Sequence, residues 1–496
     1  MQDSLYRSLV WLDVRLGVLF SVAVPLVLLA WAALRRETAL LRLLGIYWKV
    51  ASLLLIALLL LTDRRPAGFL LLVAAPLLIV AALWFWVDLN EELADLPPWR
   101  PLPLTLRIWR WSLTLLSLAG AGPADLALVF VSDSFASDLP RLLPLLQQKL
   151  QASHWLGCLG GGVVGTDPQG VPHEVEQEPA LSVTLLRLPG ATLRPFAIDT
   201  AELPDLDGPA EPWRRILGAE DADEPGEQAL LVLIDPTTAA INDLISGLDY
   251  ALPQAEKVGG IAGGHSARHG SLLFGREVRA GAIGCLIGGA WRIAPVVAQG
   301  CRPIGPVFEV EQAQRNVVIE VSRSGERRSP VAALQGILSE LSPHEREQVR
   351  ESLFLGVARS DFSLSGSGDG EAAFLVRNLI GVDPRNGAVA VGERMRVGQK
   401  VQFQLRDGDA ARQESRLLLA ACAERQPQPL AALLFACLGR GRGLYGAADG
   451  DVSLCREAFA AVPVAGVFCN GEIGPLGGST HLHGYTASWA LLVPAG

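Results

Sequence analysis

Charge is scarce in this chain of 496 residues: only 19% are Asp, Glu, Lys or Arg, against about 25% in an average globular domain. An ordinary soluble protein of one domain is excluded on that count. No Cys-x-x-Cys, His-Glu-x-x-His, Gly-x-Ser-x-Gly or P-loop spacing occurs, which removes the common zinc, metalloprotease, serine-hydrolase and nucleotide-hydrolase signatures. The seven cysteines are odd in number and sit in apolar settings such as Leu156-Gly-Cys158-Leu. They read as reduced thiols in buried strands, not as a disulfide frame. A basic, aromatic-interleaved stripe is also missing, and that argues against nucleic acid as a partner.

What the chain does have is unevenly placed. Residues 1–122 carry 11 Lys and Arg against 8 Asp and Glu, leaving a net charge of −12 for residues 123–496. Eight of the twelve Trp also fall in the first piece. Three weakly charged runs there, 16–34, 45–61 and 67–87, approach the ~20 residues a membrane helix needs. The expectation is a multi-pass integral membrane segment over 1–96, with the lipid bilayer as a partner and the soluble piece in the cytoplasm by the positive-inside count. A Pro-stiffened linker and an amphipathic helix are expected over 97–122.

One pattern occurs three times in the second piece. Leu126–Val131, Ala229–Ile234 and Ala431–Leu438 read as buried strands, and each is followed by a polar turn and a helical stretch. A second apolar strand and a Gly-rich run then follow, at Trp155–Gly165, Val258–Ser266 and Val464–Pro475. Strand, helix, strand in this spacing is a right-handed βαβ unit. The fold class expected is therefore α/β: a three-helix transmembrane segment followed by repeated βαβ units, with mixed sheets and antiparallel insertions near 271–323 and 374–405. In such units the polar turn and the Gly-rich loop emerge at one sheet edge, where ligands of open α/β sheets bind.

The runs Gly300-Cys-Arg-Pro-Ile-Gly305, Phe374–Asp383, Gly439-Arg-Gly-Arg-Gly443, Phe468-Cys-Asn-Gly-Glu-Ile-Gly-Pro475 and His481-Leu-His-Gly-Tyr-Thr486 resemble, in this order, the FIST proteins. The resemblance implies a FIST N-like half over 123–320 and a FIST C-like half over 321–496. It also implies a sensory domain that binds a small ligand, amino acids being the usual suggestion, and signals to a partner protein.

The candidate ligand-binding residues are Arg302, Arg377, Asp383, Arg440, Arg442, Cys469, Asn470, Glu472, His481 and His483. Arginines beside glycines suit a carboxylate or phosphate through forked N–H donors. Cys469, Glu472, His481 and His483 are also zinc-ligand types, so a metal or thiol enzyme is an alternative. Gly441-Arg-Gly-Leu-Tyr-Gly446 spells a dinucleotide fingerprint but lacks the acidic residue about 20 positions on. A protein-interaction scaffold is the third reading. The reading adopted is a non-enzymatic sensor with no cofactor.

Overall fold

The computed structural model describes residues 19–62, scattered positions between 75 and 110, and 123–496 apart from 168, 220–227, 264–268, 360–373, 427 and 496. Two compact units result, Met1–Pro123 and Ala124–Gly496.

In the first unit α1 (Val24–Arg35) and α2 (Thr38–Thr62) are joined at Arg36, whose left-handed φ of 56° closes α1. Leu28 and Ala32 of α1 bury against Leu40, Leu43, Leu44 and Tyr47 of α2. The Tyr47 hydroxyl donates to the Ser21 carbonyl at 2.6 Å. Among the described residues no helix is long and apolar enough to cross a membrane, so the expected multi-pass integral membrane localisation is corrected. Of the run 16–34, the described part is helical from Leu19, a π-helical turn Leu19–Ala23 leading straight into α1, and ends at Arg35; those 17 residues fall short of the ~20 that a membrane helix needs. The run 45–61 lies in α2, which carries Arg42 and Lys49. Most of 67–87 and of 97–122 lies outside the described residues.

The second unit is a mixed α/β structure built on the threefold pattern. Its first repeat has β1 (Ala124–Ser132), α3 (Leu139–Lys149), β2 (Ala152–Gly160) and, after a hairpin, β3 (Leu181–Leu186). The second has β4 (Ala229–Ile234), α4 (Ile241–Ala251), β5 (Glu256–Ile261) and β6 (Ala282–Gly289). The third has β7 (Ala431–Cys437), α5 (Gly450–Ala458), β8 (Val464–Cys469) and β9 (Ala487–Pro494). β1 with β2, β4 with β5 and β7 with β8 are parallel pairs, and β3, β6 and β9 pair antiparallel on the far side of the first strand.

Alternation of side chains decides which face each strand buries. Leu126, Leu128 and Phe130, Leu231 and Leu233, and Leu433 and Phe435 converge in one shared core. The intervening residues face helices instead: Val129 and Val131 meet Leu139 and Leu143 of α3, Val232 and Ile234 meet Leu244 and Leu248 of α4, and Leu434 meets Val452 of α5. Three sheets thus surround a common interior, each with its crossover helix outside.

Two of the glycine-rich runs are not open loops. Gly162–Thr166 and Gly471–Leu476 are themselves strands, each one residue beyond β2 or β8. Each repeat sends such a hairpin onto a different repeat's sheet. Gly162–Thr166 pairs with β8, Gly471–Leu476 with β5, and Leu272–Phe274 with β2. The exchange closes into a ring. One glycine in each second strand is required sterically: a Cβ on Gly157, Gly259 or Gly466 would lie 1.9, 1.7 or 2.0 Å from the carbonyl oxygen of its neighbour Val129, Val232 or Leu434.

Residues 301–406, between the second and third repeats, form an antiparallel insertion. Strands Phe308–Gln314, Val317–Arg323, Val389–Val391, Phe374–Val382, Leu353–Ala358 and Lys400–Arg406 pair in that order, and the last returns to the first. This closed six-stranded barrel has its own core around Phe308, Val357, Phe403 and Leu405.

Candidate functional site

Cys437 and Cys469, the last residues of β7 and β8, are register partners, so the turns after them meet at one sheet edge. Arg440 in the first turn is fully buried. Its guanidinium forks onto the Asp451 carboxylate at 2.7 and 2.8 Å, donates to the Tyr445 hydroxyl at 2.6 Å and reaches the Tyr485 carbonyl at 3.1 Å. Tyr445 in turn donates to Asp451 at 2.9 Å. All three guanidinium nitrogens of Arg440 donate inside the protein.

Backbone amides at the same edge are also taken. The hairpin strand Pro172–Glu176 of the first repeat places the Glu174 carboxylate on the Asp451 and Val452 amides at the start of α5, both at 2.8 Å. Glu176 accepts from the Arg442 amide at 2.9 Å, and a Cβ on Gly441 would fall 2.2 Å from its oxygen. The Gly441–Gly446 motif therefore cradles the protein's own carboxylate where a dinucleotide phosphate would sit. Sequence reasoning missed Glu174 and Asp451, since nothing local joins positions 277 residues apart.

Behind this edge lies Glu472, fully buried. One carboxyl oxygen accepts from the Thr486 amide at 3.1 Å, and the other has no partner among the described groups. Burial pushes its pKa well above the usual carboxylate range. Its register partner is His483. The His483 Nε2 lies 3.0 Å from the Gly474 carbonyl, which fixes that nitrogen as the donor and leaves Nδ1 as a bare acceptor. Burial, with His481, Arg377 and Arg359 nearby, pushes His483 down to about 3, and burial with Arg359 and Arg377 pushes His481 down to about 4. Both imidazoles are neutral at pH 7.

Arg377 comes from the barrel. Its Nε donates to Glu393 at 2.6 Å and its Nη1 to the Leu482 carbonyl, between the two histidines, at 2.7 Å. Arg359 donates to the same Glu393 oxygen. Two guanidinium groups, each less than one-fifth exposed, thus share one carboxylate. Neither Arg359 nor Glu393 stood out in the sequence.

The other candidates are tied elsewhere. Arg302 pairs with Glu345 at 2.8 Å and Asp407 at 3.0 Å, clasping the barrel to neighbouring helices. Asp383 accepts from the Arg385 amide in an exposed turn. Arg442 and Asn470 have exposed side chains. Cys469 is wholly buried, its thiol pushed well above the ordinary range by burial, so it is no thiolate nucleophile. Among the described residues no group of three His, Cys, Asp or Glu side chains is placed to hold a metal. Two clefts lie away from Glu472. One of about 510 Å³ at the end of β4 is lined by Thr200, Thr237, Thr238 and Arg279, and one of about 400 Å³ by Gln228, Glu256, Arg292 and Arg425.

The buried acids make stability fall as pH rises. Burial and Asp451 push Glu174 from 4.5 up to about 8, against its two amide donors. Between those values the unfolded chain has released a proton that the folded one keeps, so the favourable contribution is full below pH 4.5 and is lost through pH 8. His481 and His483, held down to about 4 and about 3, add stability as pH rises to 6.5 and oppose this trend, so the thermal midpoint of the wild type is expected to decline from pH 6.5 to pH 8. Glu174→Gln, which keeps the acceptor oxygen, is expected to raise stability at pH 8 by roughly 2 kcal/mol and flatten the profile. A midpoint that rises over this range would contradict the assignment.

The fold defines a protein class: three α/β repeats that exchange hairpins, with a barrel inserted before the third. The chain belongs to the FIST family. A FIST N domain model matches residues 125–323 and a FIST C domain model matches 331–475, while a family described as a protein of unknown function (DUF3177) matches 7–137. Relatives include the uncharacterized protein Rv0628c of Mycobacterium tuberculosis, 36% identical over 380 residues, 76% of this chain and 93% of that protein. The uncharacterized protein Mb0898c of Mycobacterium bovis is 34% identical over 379 residues, 76% of this chain and 92% of that one. FIST domains are generally sensory, small-ligand-binding domains in signal transduction.

Proposed function

We propose that this chain is a sensory module for a small carboxylate, an amino acid first, seated beside Arg377, Arg359, His481 and His483, and that it signals to a partner protein. The observation that carries this reading lies at Glu393, where, among the described residues, two mostly buried guanidinium groups share one carboxylate beside two neutral imidazoles. A second anion there would complete the pairing, and forked guanidinium donors suit a carboxylate. The unpartnered Glu472 Oε1 and His483 Nδ1 supply polar groups for the rest of the ligand. The cleft at Arg279 favours a second seat, which the same experiment separates from the first.

Calorimetric titration of the full chain with amino acids and dicarboxylates is expected to find a binder. Arg377→Gln is expected to weaken it at least ~30-fold, about 2 kcal/mol for a charge-assisted pair, while Arg279→Gln leaves it unchanged. Loss of binding on Arg279→Gln alone moves the seat to the cleft at β4. Absence of any binder in the set refutes the reading.

A further inference from the structure

The three sheets are not equally complete. Those of the second and third repeats have six strands and that of the first has five. The missing strand is the outermost. In the second repeat Ala191–Ile198 lies against β6, and in the third Trp291–Ala298 lies against β9. Each of these outer strands carries a helix: Trp213 of Glu211–Ile216 joins the cluster of Phe196 and Ile198, and Leu419 and Cys422 of Gly408–Arg425 join that of Ala294 and Val296. Among the described residues nothing pairs with the corresponding edge of β3, and Leu181 and Leu185 there are 40% and 43% exposed.

Edge composition separates the open edge from the closed ones. The two outer strands each have Pro at their fifth position, Pro195 and Pro295, and each carries an Arg, Arg194 or Arg292. Proline and charge are the usual protection of an edge that must stay unpaired. β3 reads Leu-Ser-Val-Thr-Leu-Leu, with no charge, proline or glycine. It has the features of a strand that is covered.

We infer that the occupant is β3 of a second copy of this chain, paired antiparallel about a two-fold axis through Val183. That register sets Leu181 opposite the partner's Leu185 and Val183 opposite the partner's Val183 on the face toward α3, where Val183 already packs with Leu142 and Leu146. On the other face Ser182 stands opposite the partner's Thr184, a favourable cross-strand combination. No charge meets its like anywhere along the ladder. The two α3 helices fall on one face of a continuous ten-stranded sheet, twice the five of one copy, and cover the exposed leucines as the added helices do in the other repeats. Identical surfaces on both sides are what a closed two-fold interface requires.

Sedimentation of the full chain is expected to give a dimer of the 52.9 kDa protomer. Leu181→Lys with Leu185→Lys puts lysines opposite lysines and is expected to raise the dissociation constant at least 100-fold, with an unchanged circular dichroism spectrum. The partner variant Leu181→Glu with Leu185→Glu is expected to be monomeric alone and to form a one-to-one complex with the lysine variant when mixed. That rescue depends on strand apposition and not on folding of either variant. A wild type that stays monomeric at ~100 μM, a lysine variant that still dimerises, or a failure of the two charged variants to associate would each overturn the proposal.

Discussion

Arg440→Leu is expected to cost about 3–5 kcal/mol, the range for removing one partner of a buried ion pair. The guanidinium is wholly enclosed, and Asp451 is as well. Without Arg440 the Asp451 carboxylate keeps only the Tyr445 hydroxyl, at 2.9 Å, and the Tyr485 carbonyl loses its donor. Lysine does not rescue, because one ammonium cannot reproduce the forked geometry. Arg440→Leu with Asp451→Leu is expected to recover a large part of the loss, since no unpaired charge then remains inside. Urea melts of the two single variants and the double variant give the coupling directly. A single-variant cost below 1 kcal/mol would show that the pair is not the strut described.

Gly466→Ala is expected to be at least as damaging. The added methyl would sit 2.0 Å from the Leu434 carbonyl oxygen and 2.9 Å from its carbon. Leu434 cannot withdraw, because its other side is held by Trp489 of β9. Overpacking among side chains costs about 1–3 kcal/mol, and here the obstacle is backbone on both sides, so more than 3 kcal/mol is expected. Gly259→Ala and Gly157→Ala meet the same obstacle in their own repeats. Gly381→Ala is the control, with open space around the new methyl and an expected change within about 0.5 kcal/mol. Equal effects at Gly466 and Gly381 would remove the steric argument.

Much of this architecture is legible in the sequence, because it rests on short-range pattern. The apolar runs at 126–131, 229–234 and 431–437 are buried on both faces, as near-continuous hydrophobic strands of parallel pairs are. The glycine runs misled, because glycine marks close backbone approach as well as turns: Gly157 and Gly466 serve packing, and the runs beyond them are strands. The hairpin exchange had no local signal, since Thr166 bonds to Val464 across 298 positions. A comparable distance, 277 positions from Asp451, hid Glu174. Of the candidate residues, Glu472, His481, His483 and Arg377 do come together, whereas Arg302 and Asp383 satisfied ordinary structural needs. At the run 16–34 hydropathy cannot see where a helix ends: the left-handed Arg36 stops the helical stretch that includes Leu19–Ala23 and α1.

The ring of exchanged hairpins bears on how this chain reaches its native state. No repeat completes its own sheet, so the first waits for Leu272–Phe274, the second for Gly471–Leu476, and the third for Gly162–Thr166. Contacts that span most of the chain must close before any sheet has its full stability, and such long loops are slow to close. The boundary between the two family segments, near residue 325, is therefore not a folding boundary. A ribosome must release almost the whole polypeptide before the second repeat can acquire its last neighbour, and unfolding one repeat strips a strand from another.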